Sequence, residues 1–343
     1  MSASRARSVR KGISPRIRAF AACLALFAVW QISGPASAAA NANRSIPLVM
    51  VHGFDHDSAL GCPWGSLMEK FRDWGYTGPF VPVRYYKGDK PCTARGNTWN
   101  WTIDHHGSHS ASAPGHDLDT TNQDDPFGGH HENAVSHNTN APIGHLGNHF
   151  AWFIFEHFTK KGKWVNVAAH SMGGLITRHA IDSVQKRRPG YPPHLLVRTV
   201  TTMGSPHSGI DDELVWFCAF IGNPLQCQQM KESSGFISYL RTKARNPQGA
   251  FGTFWAVAGS HDDNLVDEAS ALDMSVQYKI RWGTSVNIEH ADYFNERVDD
   301  DPPFVIGARC RGTSSGQDYD DMGPWGNCWW PLQWYGAILL GPL

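Results

Sequence analysis

The sequence predicts an α/β fold in which a mostly parallel central sheet is covered by helices on both faces. Three observations predict it. Short apolar runs rich in Val, Ile and Phe recur along the chain, segments with apolar residues at helical spacing lie between them, and Gly or Pro punctuates the junctions. Alternation of this kind lays successive strands side by side through helical crossovers. With 41% hydrophobic and only 18% charged residues over 343 positions, the chain has material for one large core and does not read as a disordered segment.

The elements follow in order. Ile46 to Val51 is an apolar, β-forming run that ends at His52-Gly53, as expected of a strand buried on both faces and followed by a tight turn. Between Trp64 and Trp74, Leu67, Met68 and Phe71 recur at helical spacing before Gly75, and Phe80 to Tyr86 returns to strand composition. Residues 87–141 break the rhythm with few aliphatics and many Gly, Ser, Asn, Asp and His, and read as a surface insertion. Helical spacing resumes at Leu146, Phe150, Phe153 and Ile154 and stops near Gly162. Then come a strand from Trp164 to Ala169, a helix from Gly173 to about Arg188, and strands at Leu195 to Met203, Phe254 to Ala258 and Ser285 to Ile288. No internal repeat or linker divides residues 39–343, so a single domain is expected, with 295–343 as a Trp-rich C-terminal extension.

The first 38 residues stand apart. They hold Arg5, Arg7, Arg10, Lys11, Arg16 and Arg18 and no acidic residue, then an apolar run from Ala19 to Trp30, then Pro35-Ala36-Ser37-Ala38. A basic start, an apolar stretch and a small-residue cleavage site near Ala38 make a secretory signal peptide. The apolar run is shorter than the roughly 20 residues that span a bilayer, which argues against a retained anchor. An extracellular protein is therefore expected. The near-neutral net charge of −1 depends on this segment, so the rest of the chain is acidic and offers no nucleic-acid footprint. Beyond Cys23, six cysteines remain: Cys62, Cys92, Cys218, Cys227, Cys310 and Cys328. In an exported chain they read as three disulfides, with sequential pairing the first expectation because the loops from Cys218 to Cys227 and from Cys310 to Cys328 are short.

The chemistry concentrates where the strand ending at Ala169 turns into a helix. In Ala169-His170-Ser171-Met172-Gly173-Gly174, small residues permit a sharp turn that lifts Ser171 from the sheet's C-terminal edge. The helix start behind it supplies the Met172 N–H to developing negative charge. A serine needs a base held by a carboxylate, and after such a turn the partners follow in the order acid, then His. His290 is the only one of 18 histidines beyond Asp263, which makes it the base. The acid lies among Asp262, Asp263, Asp267 and Glu268, just past the FWAVA strand, with Asp262 and Asp263 the leading pair. A second oxyanion donor is expected after the first strand, at the backbone N–H of Phe54 in His52-Gly53-Phe54.

Taken together, HGF, AHSMGG, GSPHSG at Gly204 to Gly209, DNLV and IEHADY resemble the α/β-hydrolase fold of secreted bacterial lipases and carboxylesterases, above all the actinobacterial exported lipases. The resemblance spans roughly Ile46 to Tyr293 and departs from the usual elbow in having Ala169 where Gly is common. It implies hydrolysis of carboxylic esters of lipids or related acyl esters through an acyl-serine, without an organic cofactor, by a monomer that meets a small ester or a lipid interface. It also favours Asp263 as the acid, because an apolar residue stands three positions on, as in related lipases. His207 of GSPHSG precedes the acid and is expected to be structural.

Other segments carry weaker expectations. Ten histidines between His105 and His157, interspersed with Asp104, Asp117, Asp119, Asp124 and Asp125, are the residues that would hold a zinc or calcium ion, but no ligand spacing identifies a site. The tail tryptophans Trp325, Trp329, Trp330 and Trp334, with Tyr335, read as a disulfide-tied cap on the core rather than a substrate wall. Trp216, Phe217, Phe220 and Ile221 suggest a loop over the site. Two other functions fit parts of the chain: acyl transfer to an alcohol or sugar on the same fold, and a non-catalytic extracellular binding protein. The second would predict a missing triad member, and none is missing.

Overall fold

The computed structural model describes residues 44–54, 62–86, 89–94, 97–99, 101–102, 141–211, 224–276, 278–283, 288–294, 317–318 and 331–340. In chain order these form β1 (Leu48–Val51), α1 (Gly65–Asp73), β2 (Phe80–Arg84), β3 (Cys92–Ala94), β4 (Asn97–Trp99), β5 (Trp101–Thr102), α2 (Ile143–His157) and β6 (Val165–His170). They continue with α3 (Met172–Gln185), β7 (Val197–Met203), α4 (Leu225–Met230), α5 (Gly235–Lys243), β8 (Phe254–Ser260), α6 (Glu268–Ala271), β9 (Tyr278–Trp282), β10 (Gln317–Asp318) and α7 (Pro331–Leu340). Short 3-10 turns stand at Thr159–Lys161 and Asp292–Phe294.

The sheet runs β10-β9-β8-β7-β6-β1-β2-β5, and each of its pairings is parallel. This is the expected α/β architecture: six strands from β2 to β9 form its body, and two-residue strands finish each edge. From β1 the chain first moves outward to β2, then returns to the other side of β1 with β6 and proceeds through β7, β8 and β9. The strand order therefore reverses between β1 and β6, and a crevice opens beyond the carboxyl ends of strands at such a reversal. Val51 pairs with Ala169, so the two strands end almost level and release His52-Gly53-Phe54 and Ser171 side by side.

Period-two alternation divides the core. Val49 and Val51 face a cluster with Val167 and Ala169 that α2, α3 and α5 cover through Leu146, Phe150, Leu175, Ile176 and Phe236. Leu48 and Met50 face the opposite cluster, built from Leu67, Met68 and Phe71 of α1 and Tyr335, Leu339 and Leu340 of α7. The C-terminal helix is thus a core cap, and the Tyr335 hydroxyl donates to the Ala169 carbonyl of the strand that carries Ser171.

Three expectations need correction or completion. A strand at Tyr278–Trp282 pairs with β8, and sequence reading passed over it; Ser285 to Asn287 of the expected last strand lie outside the described residues. The start of the 87–141 segment is not merely a surface insertion: β3 and β4 form a hairpin, and β5 extends the main sheet beside β2. The signal peptide, Cys23, Cys218, Cys310, Cys328, the histidines from His105 to His137, the loop at Trp216 to Ile221, and Trp325, Trp329 and Trp330 lie outside the described residues. Among the described residues no helix is long and apolar enough to cross a membrane, and no group of three or more metal-binding side chains gathers.

Cys62 and Cys92 form a disulfide between the approach to α1 and β3, as sequential pairing expects, and Cys227 is disulfide-bonded as well. A crosslink closing a loop of 30 residues removes chain entropy from the unfolded state. Replacing both Cys62 and Cys92 with Ala is expected to cost about 2–4 kcal/mol of stability, measured as the shift in urea midpoint.

Candidate active site

Ser171 sits between β6 and α3 with φ 53° and ψ −132°, a conformation that non-glycine residues rarely adopt and that costs on the order of 1–3 kcal/mol. Two backbone hydrogen bonds hold it there: its N–H donates to the Met203 carbonyl, and its carbonyl accepts the Gly174 N–H, each at 3.0 Å. The neighbouring chain must come close for the turn to pack. A methyl on Gly53 would lie 2.6 Å from Ser171 Cβ, and one on Gly173 would strike the carbonyl oxygens of Val51 and His52. The glycines read from sequence as turn formers are therefore also the places where β1 and the elbow touch.

His290 and Asp263 meet directly. The His290 ring Nδ1 lies 2.9 and 3.0 Å from the two carboxylate oxygens of Asp263, with the imidazole slightly exposed and the carboxylate fully buried. The carboxylate also accepts the Leu265 N–H at 2.9 Å, the Val266 N–H at 2.8 Å and the Tyr293 hydroxyl at 3.1 Å. Burial, reinforced by Asp263, pushes the Tyr293 phenol well above its ordinary range, so it remains a donor. The multiply bonded Asp263 carboxylate accepts a hydrogen bond from Nδ1–H and so leaves the Nε2 lone pair free to act as a base.

The neighbouring candidates sit elsewhere. Asp262 donates its N–H to Ser260 Oγ, while its buried Oδ2 has no hydrogen-bond partner among the described residues. Asp267, exposed, caps α6 by accepting the Ala269 N–H, and Glu268 pairs with Arg281 at 3.1 Å; neither carboxylate is bonded to His290. His207 is fully buried against Thr202 Oγ1, and its carbonyl is held by the buried Arg178 guanidinium.

His170 joins the two halves of the site. Its Nε2 donates to the His290 backbone carbonyl at 3.0 Å, and its ring packs on Phe294 and Tyr293. The residue before Ser171 is therefore tied to the backbone of the proposed base. Ser171 follows β6 and His290 follows β9, so both stand at the carboxyl-end edge of the same parallel sheet. Met172 opens α3, so its N–H has no carbonyl one turn earlier to bond, and Phe54 leaves the adjacent strand end.

The site has a stability signature. Burial, with the nearby His290, holds His170 well below the usual histidine range, and burial does the same to His207. Unfolding restores an ordinary histidine near pH 6.5, so below that pH the unfolded chain binds protons that the native chain refuses. Stability is expected to fall as pH drops through this value, by at most about 1.4 kcal/mol per pH unit for each histidine. Urea midpoints from pH 8 to pH 5 check this, and a flat profile would contradict it.

Sequence reading missed the role of Tyr293, which donates to Asp263. Tyr293 lies inside the IEHADY motif, but its role emerges only from the fold. Residues 117–234, about a third of the chain, match a family described as "Putative serine esterase (DUF676)"; the match contains Ser171 and ends before Asp263 and His290. No curated protein sequence matches the chain. Among solved structures the chain is similar to the mature lipase BlEst2 of Bacillus licheniformis, with 14% identity, 70% of this chain and 85% of that chain covered, and a TM-score of 0.39. It is also similar to lipase B of Aspergillus fumigatus, with 17% identity, 75% and 50% coverage and a TM-score of 0.42. The phospholipase PlaB of Legionella pneumophila shares 12% identity, with 67% and 44% coverage and a TM-score of 0.39.

Proposed function

We propose that this chain is an extracellular serine ester hydrolase that cleaves carboxylic esters of lipids or related acyl esters. The observation that carries the reading is the strained Ser171 turn standing on the same sheet edge as the Asp263–His290 pair. In this scheme Ser171 Oγ attacks the ester carbonyl carbon while His290 Nε2 takes its proton. The carbonyl oxygen becomes an oxyanion held by the N–H groups of Phe54 and Met172. Collapse of the intermediate expels the alcohol, which leaves with the proton from His290, and an acyl group remains on Ser171. Water then repeats the sequence: His290 accepts its proton, the hydroxide equivalent attacks the acyl carbon, and the acid departs as Ser171 regains its proton.

Asp263 keeps His290 in the tautomer that has Nε2 unprotonated and stabilises the imidazolium as it forms. Every proton and charge in the cycle is thus carried by side chains and backbone of this chain. Export is supported by the basic-apolar-small pattern of residues 1–38 and by the Cys62–Cys92 disulfide, a bond favoured in oxidising compartments. The test is hydrolysis of p-nitrophenyl butyrate and p-nitrophenyl palmitate by protein lacking residues 1–38, with and without a chelator and an alcohol acceptor. Hydrolysis to free acid is expected. A product that appears only with the acceptor would favour acyl transfer, and inertness toward both esters would refute the hydrolase reading.

A further inference from the structure

The loop that offers the Phe54 N–H rests on a group of residues that the proposed mechanism does not use. His52 lies face to face on Tyr85, with ring centroids 4.1 Å apart and planes 4° from parallel. Its Nε2 is 3.0 Å from Asp89 Oδ2, and its Nδ1 is 2.9 Å from the Gly53 carbonyl oxygen. The single Tyr85 hydroxyl proton lies between two carbonyl oxygens, His52 at 2.5 Å and Gly53 at 2.8 Å. The Gly53 carbonyl and the Phe54 N–H belong to one planar peptide group, so fixing the oxygen fixes the direction of the N–H on the opposite side.

Both partners of the His52 ring are acceptors only. A carbonyl oxygen has no proton to give, and an ionised carboxylate has none either. Asp89 Oδ2 additionally accepts the N–H groups of Tyr85 at 2.9 Å and Tyr86 at 2.8 Å, a setting for an ionised carboxylate. A neutral imidazole has one N–H and satisfies one of these two contacts. An imidazolium satisfies both, and it lies on the electron-rich face of Tyr85.

We propose that His52 is held as an imidazolium by Asp89 and acts as a positioning residue, its Nδ1–H pinning the Gly53 carbonyl so that the Phe54 N–H is aimed at the oxyanion. This inference rests on the hydrolase reading. The groups facing His52 are consistent with a cation: Asp89 across from it, the neutral phenols of Tyr85 and Tyr86, and His170, which burial keeps neutral. The Arg84 guanidinium donates to the Asp89 backbone carbonyl at 2.7 Å. Loss of the His52 proton would break one of the two ring contacts and free the oxyanion peptide to tilt.

Asp89→Asn removes the anion that favours the cation, so the Gly53 carbonyl loses its second ring contact and the Phe54 N–H its aim. Because an aimed N–H serves the oxyanion more than the ester carbonyl, kcat should fall about 10- to 100-fold with KM within about threefold. An Asp89→Asn enzyme with wild-type kcat would overturn the inference. Nitrogen-15 NMR of the wild-type histidines at neutral pH reads the state of His52 directly: two protonated ring nitrogens support the imidazolium, and one overturns it. A wild type inert toward esters refutes the hydrolase reading instead, and the NMR measurement then still decides the ion pair.

Discussion

Ser171→Ala is expected to lower kcat for ester hydrolysis by about 10⁴- to 10⁶-fold and to leave the fold intact. The substitution removes one atom. Alanine keeps the Cβ that packs against Gly53, and the backbone bonds from Ser171 N–H to Met203 and from Gly174 N–H to the residue 171 carbonyl need no hydroxyl. The strained φ and ψ are tolerated equally well by serine and alanine, so stability should stay within about 1 kcal/mol. Residual activity would come from substrate binding and the backbone donors at Phe54 and Met172. Steady-state kinetics beside a urea denaturation curve separate lost chemistry from lost folding.

Asp263→Asn is expected to lower kcat by about 10⁴-fold, whereas Asp262→Asn changes it by no more than about threefold. The adjacent carboxylates differ in what they touch. Asp263 receives His290 Nδ1, two backbone N–H groups and the Tyr293 hydroxyl, while Asp262 contributes no bond to the imidazole. An asparagine at 263 would present an amide N–H or a neutral oxygen to His290. Either the ring takes the wrong tautomer or it loses the anion that stabilises its charged form. Comparable losses in the two variants would show that the acid is shared or misplaced.

The parts legible in the sequence were those with a strong local signature. The strands at Leu48–Val51 and Val165–His170 are buried on both faces and rich in apolar residues, and α3 follows a turn built from small residues, so the place of Ser171 could be read directly. The strand at Tyr278–Trp282 was not legible, because only Ile280 and Trp282 are buried and the interleaved Lys279 and Arg281 give it a surface composition. Of the two neighbouring aspartates the resemblance favoured Asp263, while composition and spacing left Asp262 open, since the turn after β8 decides which carboxylate meets His290. Asp89 was hidden by its surroundings: it lies in a segment poor in aliphatics, and its partner His52 is 37 positions away. Arg178 ran against the usual rule, since it is charged yet fully buried, donating to the carbonyls of His207, Leu240 and Ala244. Local periodicity carries none of these long-range pairings.

Ser171 is proposed to be a nucleophile activated by His290, which Asp263 holds in place. Treatment of the folded protein with a fluorophosphonate, followed by peptide mass spectrometry, identifies the nucleophile, because a phosphonyl group stays on the oxygen that attacked it. One stoichiometric adduct is expected on the peptide containing Ser171, formed in step with loss of esterase activity and absent from His290→Ala. An adduct on another residue, or esterase activity that survives full labelling of Ser171, would contradict it.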